Sequence, residues 1–421
     1  MPLSSDFDFR SVLKQGDHIA WPQGVGEPTG LTSRLMCQAP ELPKVTLVLG
    51  MVTSRTLDRA ADSGFDFLCL NGAANTRKAA ALSANRVIPA HVSAIPGLIL
   101  SRQIPVDVAL IRVRPTATPG VFSLGVMVDF VHEMIEAARV VIAEIDERMP
   151  ETIEGDALIE GSRLTHIVIA DGDEPLIYDP VPTESDVAVA RRVAELIPDF
   201  ATVQFGVGGL PAAVCQALGD HKNLGLHSGV IPDAAVDLIE SGVITNSYKG
   251  IDQGITVTGG LFGSRRIIDF ADKNPRIALR RAAYTHVAQT MAQIKAFHSI
   301  NSAVAVDLSG QVNSEVAGGR YVGAVGGQVD FVRGGRLSEK GRSIIAVASM
   351  TPDGKHSKIV ASLAGQPITT ARSDVDIIVT EYGAAHLWGK DFHARAEALI
   401  GIAHPSVRES LARQFDESYI K

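Results

Sequence analysis

Several things are scarce in this chain of 421 residues. It holds three cysteines, Cys37, Cys69 and Cys215, far apart and each among apolar neighbours. An odd, sparse set argues against a disulfide framework and against a zinc site, and so fits a reducing, cytoplasmic compartment. Such cysteines pack as small hydrophobes. Excess positive charge is also missing: the net charge is −8. An acidic balance makes nonspecific nucleic-acid binding an unexpected function. No apolar run approaches the ~18 residues of a membrane span, so no membrane partner is expected. The opening residues are polar and carry Asp6 and Asp8 early. They fit neither a secretory signal nor an Arg-rich transit peptide. No metal cluster is visible, and the phosphate-loop pattern G-x-x-x-x-G-K-[ST] is absent.

What is present is globular. The chain is 46% hydrophobic and 20% charged, enough for sizeable cores in two or three domains. Short Val- and Ile-rich runs predict strands buried on both faces: Val45–Leu49, Val106–Ile111, Val140–Ile145, His166–Ala170, Ala201–Phe205, Leu224–His227, Ile344–Ala348 and Val375–Thr380. Amphipathic stretches predict helices over Phe130–Ala138, Glu184–Leu196, Ala234–Ser241, Phe392–Leu399 and Val407–Phe415. The alternation is that of α/β units on mostly parallel sheets.

A short motif recurs. Residues 24–29 read Gly-Val-Gly-Glu-Pro-Thr and residues 206–211 read Gly-Val-Gly-Gly-Leu-Pro. Each precedes a helix-like segment and then a short strand near a glycine, Gly50 or Gly229. Two related α/β halves follow, 1–185 and 186–421, joined through the turn-like Tyr178–Thr183.

Three segments could carry chemistry. Phe205-Gly206-Val207-Gly208-Gly209-Leu210 is a strand–glycine–helix junction, where free N–H groups can meet an anion. It fails as a Rossmann fingerprint, lacking the third glycine and the acid after the next strand. Gly323–Gly335 holds five glycines around Gln328 and Asp330, a candidate backbone nest for an oxyanion or phosphate. Glu27, in the first glycine loop, either faces a ligand or sits at a helix start where negative charge is favoured.

Taken together the motifs resemble the acetyl-CoA hydrolase/transferase family, within the class I coenzyme A transferases. The resemblance is carried by Gln204–Gly208, Leu224–Ser228, Gly242–Asn246, Asn274-Pro275, Ser299–Ala303, Asp307–Asn313, Gly326–Phe331, Val379–Gly383 and Arg395–Pro405, with Gly26-Glu27-Pro28 and Phe122–Gly125 in the first half. It implies two α/β domains of the CoA-transferase (NagB/RPIA-like) fold and an active site between them. It implies an acyl-CoA thioester as substrate, no permanently bound cofactor, a carboxylate acceptor for transferases, and a homodimer. The loop Gly206, Val207, Gly208, Gly209, Leu210 matches the family's CoA-binding loop. Asn301, Gly326 and Arg372 fall at or near further CoA contacts, and Gly327 and Gln328 adjoin them.

The family's nucleophile is a glutamate that forms a glutamyl-CoA thioester. It follows a His-Ser or His-Thr pair; here the run is His227-Ser228-Gly229-Val230, with Gly229 at its place. Glycine cannot carry that intermediate. Three readings follow: a hydrolase of a CoA-linked thioester or C–C bond that uses water; a transferase using another carboxylate (Glu27 or Glu315) or direct transfer; or a silent binder of CoA thioesters. For the first, His227 and Glu27 are the acid/base candidates. Gly326 and Gly327 would hold the oxyanion through backbone N–H groups, and Ser228 would donate a hydrogen bond. His227 has the alternative of buttressing the loop. Arg112 and Arg114, and Tyr284-Thr285-His286 in place of Tyr-x-Asn, are departures that would alter the acyl pocket.

Overall fold

The computed structural model describes residues 6–82, 86–175, 181–206 and 208–418. Half of the expected linker, Tyr178-Asp179-Pro180, lies outside them, as does Val207 of the second glycine loop.

The first half is a doubly wound sheet. Its parallel strands are β1 (His18–Ala20), β2 (Thr46–Leu49), β3 (Asp66–Cys69), β4 (Val108–Pro115), β5 (Val140–Ile145) and β6 (His166–Ile169), in the order β3-β2-β1-β4-β5-β6. Every residue of β2 and β5 is buried, Glu144 included, as expected of strands dominated by Val, Leu and Ile and covered on both faces. Helix α1 (Thr29–Gln38) carries the chain from β1 back to its neighbour β2.

The second half begins with α2 (Glu184–Ala194), which Thr183 and Asp186 start with a capping box. Strands β7 (Thr202–Phe205), β8 (Gly225–Ile231), β9 (Thr256–Leu261), β10 (Ile277–Leu279), β11 (Phe297–Ser302), β12 (Arg342–Ala346) and β13 (Ile377–Thr380) follow. They run parallel in the order β13-β12-β11-β7-β8-β9-β10. Helix α3 (Gly209–Ala217) joins β7 to β8 as α1 joins β1 to β2, so the two glycine motifs hold equivalent places.

A division after residue 185 cuts the first turn of α2, and the halves interlock across it. The first-half segment Glu154–Gly155 pairs with β10 at the edge of the second sheet. One apolar cluster joins Val113, Met127 and Ile145 to Phe205, Leu226 and Phe262. In each sheet the strand order reverses beside the first strand, β1 or β7. In doubly wound folds the crevice at the carboxyl ends of the strands at such a point receives the ligand.

Candidate functional site

Both switch points open into one cleft of about 260 Å³ between the halves. Gln23, Met51 and Asn71, just past the ends of β1, β2 and β3, form one wall; Phe205-Gly206, Gly229 and Asn301, on or after β7, β8 and β11, face them. The glycine-rich segment from Gly323 onward closes the cleft and stitches it. Gly323 and Gly326 accept backbone hydrogen bonds from Gly72 (2.7 Å) and Val92 (3.1 Å). Asp330 accepts from the Ser93 hydroxyl at 2.6 Å. Helix α4 (Gln328–Leu337) starts here, so its first N–H groups, which have no intrahelical carbonyl, lie at the cleft. Gln328 lines the wall, its side chain fixed between Ser314 (2.8 Å) and Thr370 (3.0 Å).

The structure brings together Gly206, Gly229, Asn301, Gly326, Gly327 and Gln328, all on the cleft. Asn301 donates to Gln204 at 3.3 Å. Gly208 has φ +119, a conformation that favours glycine, and with Gly209 and Leu210 it forms the half-buried start of α3.

Other expected residues stand elsewhere. Ser228 is buried and donates to the Phe205 carbonyl at 2.9 Å, tying β8 to β7. Arg372 is exposed, stacked over Phe392 at 4.9 Å, and does not line the cleft. Glu27 is fully buried and accepts from Thr56 (2.6 Å) and Thr32 (2.7 Å). Burial raises its pKa, but no part of it lines the cleft. His227 is likewise fully enclosed; burial, then the charge of Lys249, hold its pKa down to about 3. Its Nε2 bonds to the Thr285 carbonyl at 3.0 Å, which is the buttressing role. Glu315 is held by Thr369 (2.8 Å) and Tyr321 (2.6 Å) at a separate groove. Arg112 is spent on a buried pair with Asp146 (2.6 Å) and Arg114 on Asp272 (2.8 Å), so neither reaches an acyl group in the cleft.

Among the described residues, two titratable side chains line it, His286 and Asp129. His286 occupies the space beside Gly229: a Cβ built at Gly229 would lie 2.8 Å from His286 Cε1 and Nε2. A Cβ at Gly327 would lie 2.6 Å from the same ring. Two glycines thus make a slot for one imidazole, closed by Phe331 with ring centroids 4.6 Å apart. His286 Nδ1 is 2.8 Å from the Thr285 hydroxyl, which itself donates to the Arg281 carbonyl (3.3 Å). When the hydroxyl proton goes to that carbonyl, the neutral ring donates from Nδ1 and keeps a lone pair on Nε2; when it goes to Nδ1, the ring proton stands on Nε2. Burial holds the His286 pKa down to about 3, so the ring is neutral near pH 7.

Asp129 is held in the left-handed region at φ +32. Its N–H donates to Gly259 (3.2 Å) on β9, which pairs with β8 on either side of Gly229. Its carbonyl accepts from Ala282 (2.6 Å), four residues before His286. Gln23 donates to its carboxylate at 2.5 Å. Burial pushes the Asp129 carboxyl up to about 7. His286 is legible as a departure from Tyr-x-Asn; Asp129 was missed. Its one signal is a lone acid in the apolar run Val126–Val131.

Paired doubly wound sheets with a shared cleft at their switch points define a class of α/β proteins that take a ligand between their halves. Family models then match most of the chain: acetyl-CoA hydrolase/transferase N-terminal domain over residues 3–177 and C-terminal domain over 263–415. The chain is 37% identical over 420 residues to the 4-hydroxybutyrate coenzyme A transferase of Clostridium kluyveri, covering 97% of this chain and 96% of that one. It is 34% identical to the succinyl-CoA:cyclohexane-1-carboxylate CoA transferase of Geobacter metallireducens, covering 97% and 94%. RipA from Yersinia pestis superposes with a TM-score of 0.89 at 31% identity, covering 97% and 95%. The protein belongs to the acetyl-CoA hydrolase/transferase family, and is an enzyme acting on CoA thioesters. Among the described residues no helix is long and apolar enough to cross a membrane, and no cluster of His, Cys, Asp and Glu could hold a metal ion.

Proposed function

We propose that this enzyme hydrolyses an acyl-CoA, with water replacing the glutamate that its family resemblance places at position 229. The observation that carries the reading is the slot: the side chain missing from Gly229 is replaced in space by the His286 ring. Neutral His286 accepts a hydrogen bond from water at Nε2 and places the water oxygen for attack on the thioester carbonyl carbon. Asp129, whose pKa of about 7 suits proton transfer near neutrality, takes the water proton. The tetrahedral oxyanion lies against the N–H groups that open α4 near Gly327. As the C–S bond breaks, Asp129 returns its proton to the sulfur, giving a carboxylic acid and CoA thiol. His227 acts one step back: it holds Thr285, and Thr285 orients His286.

The α3 loop after Gly206 takes the CoA moiety, where backbone N–H groups face an anion. The enzyme works as a homodimer in the cytoplasm in this reading, as its family resemblance and cysteine usage imply.

The test is a panel of acyl-CoA thioesters incubated with the protein, with and without acetate or succinate, and read by mass spectrometry. Free CoA without acceptor supports hydrolysis. A new acyl-CoA formed only with acceptor overturns it and returns the enzyme to transfer.

A further inference from the structure

Among the described residues, no lysine or arginine lines the cleft. Its polar groups are amides, one neutral imidazole and one carboxylate, Asp129; the remainder includes Met51, Leu70, Ile95, Phe130 and Phe262. Of the cations on adjoining segments, Arg280 stacks over the Tyr284 ring at 5.2 Å, Arg281 pairs with Glu133 and Asp156, and Lys249 is buried against the Leu226 and Ile255 carbonyls. A carboxylate placed here would leave water without gaining a cationic partner, and would stand in the same cavity as a second carboxylate.

We propose that this cleft selects uncharged, apolar acyl groups, and excludes carboxylates both as the far end of the acyl chain and as free acceptor acids. The proposal rests on reading the cleft as the acyl site of the enzyme. Substrates would be straight, branched or alicyclic acyl-CoA thioesters of a size set by about 260 Å³. Succinyl- and glutaryl-type thioesters would be rejected. The same property bears on product release: the free acid formed by hydrolysis is an anion for which the cleft offers no counter-charge.

The test separates binding from turnover. Two thioethers that cannot be hydrolysed, S-butyl-CoA and S-(3-carboxypropyl)-CoA, have the same four-carbon chain length and differ in the terminal carboxylate. Titration calorimetry on the full chain should find the carboxylate analogue weaker by about 100-fold or more, the scale of burying an unpaired charge. Asp129→Asn should narrow that gap, because it removes the like charge and keeps the shape. Equal binding, or tighter binding of the carboxypropyl compound, overturns the proposal. Binding of neither overturns it together with the reading of the cleft as the acyl site. The expected preference, combined with CoA release that strictly requires acetate, leaves the selectivity for the acyl chain standing and overturns both hydrolysis and the exclusion of acceptor acids.

Discussion

The two glycine loops, equivalent in topology, have opposite fates. After the first, the Leu31 N–H at the start of α1 donates to the Glu144 carboxylate at 2.7 Å. A Cβ at Gly30 would lie 2.6 Å from both Glu144 Oε2 and Asp171 Oδ1. The chain's own acid therefore fills the helix start. After the second, α3 opens with no side-chain cap, and Gly206 lines the cleft. One strand–loop–helix unit thus makes an anion site when its N-terminus is left open, and an internal staple when a buried carboxylate closes it. A second contrast sits within the cleft, between the glycine at 229 and the imidazole at 286 that occupies its missing side chain's space.

The strongest test of these contrasts is His286→Ala. Acceptor-independent CoA release should fall by about 10²–10⁴-fold, the range for a positioned acid/base group, while circular dichroism stays unchanged. A loss below about threefold would remove His286 from the account.

Gly229→Glu attacks the slot itself. Alone it meets the imidazole and should lower stability by about 1–3 kcal/mol through overpacking. Paired with His286→Asn, which empties the slot, it should recover most of that loss. The pair should also form a covalent CoA adduct visible in the intact protein mass on incubation with an acyl-CoA. Equal thermal midpoints for the single variant and wild type would mean that the slot is not filled as described.

Glu144→Gln sharpens the comparison of the loops. The amide oxygen still accepts from α1, so the cost should be about 1 kcal/mol, the scale of one weakened buried hydrogen bond. CoA binding should not change, because the first loop is closed to ligand.

A further test is in pH. Burial pushes the Glu144 carboxyl up to about 7 in the fold, against 4.5 when exposed. Between those values the folded state holds more protons than the unfolded one. The contribution of Glu144 to stability is therefore greatest below pH 4.5 and is lost as pH rises through 7. His227 and His286, held down to about 3, work the other way: their contribution is present above pH 6.5 and is lost as pH falls. Denaturant titrations at pH 5 and 7.5 should therefore find the wild type losing stability relative to Glu144→Gln at the higher pH. A difference independent of pH would contradict an uncharged Glu144.

The strands that announced themselves, such as β5 with Val-Val-Ile-Ala-Glu-Ile, are apolar because both faces are covered. The ones that did not, β9 (Thr-Val-Thr-Gly-Gly-Leu) and β11 (Phe-His-Ser-Ile-Asn-Ser), carry glycines and polar residues where they approach the cleft. Those residues serve close approach and the site, so they break the hydrophobic pattern that marks a strand. For the same reason the backbone part of the site was readable from the glycines at 206, 229, 326 and 327. Its side-chain part was not: His227 lies within β8 and His286 at the end of the short helix Ala282–Thr285, and spacing alone does not fix which ring reaches the cleft. Glu27 looked equivalent to a ligand-facing acid until the Thr32 and Thr56 hydroxyls accounted for its position.

In the proposed reaction water takes the acyl group at the place where the family resemblance puts a glutamate. The most direct measurement is turnover of an uncharged acyl-CoA in ¹⁸O-labelled water without any carboxylate, read by mass spectrometry of the acid and of the intact protein. Hydrolysis by water gives one ¹⁸O atom in each acid released and an unmodified protein mass throughout. A protein carrying covalent CoA, or no acid until a carboxylate is added, would contradict it.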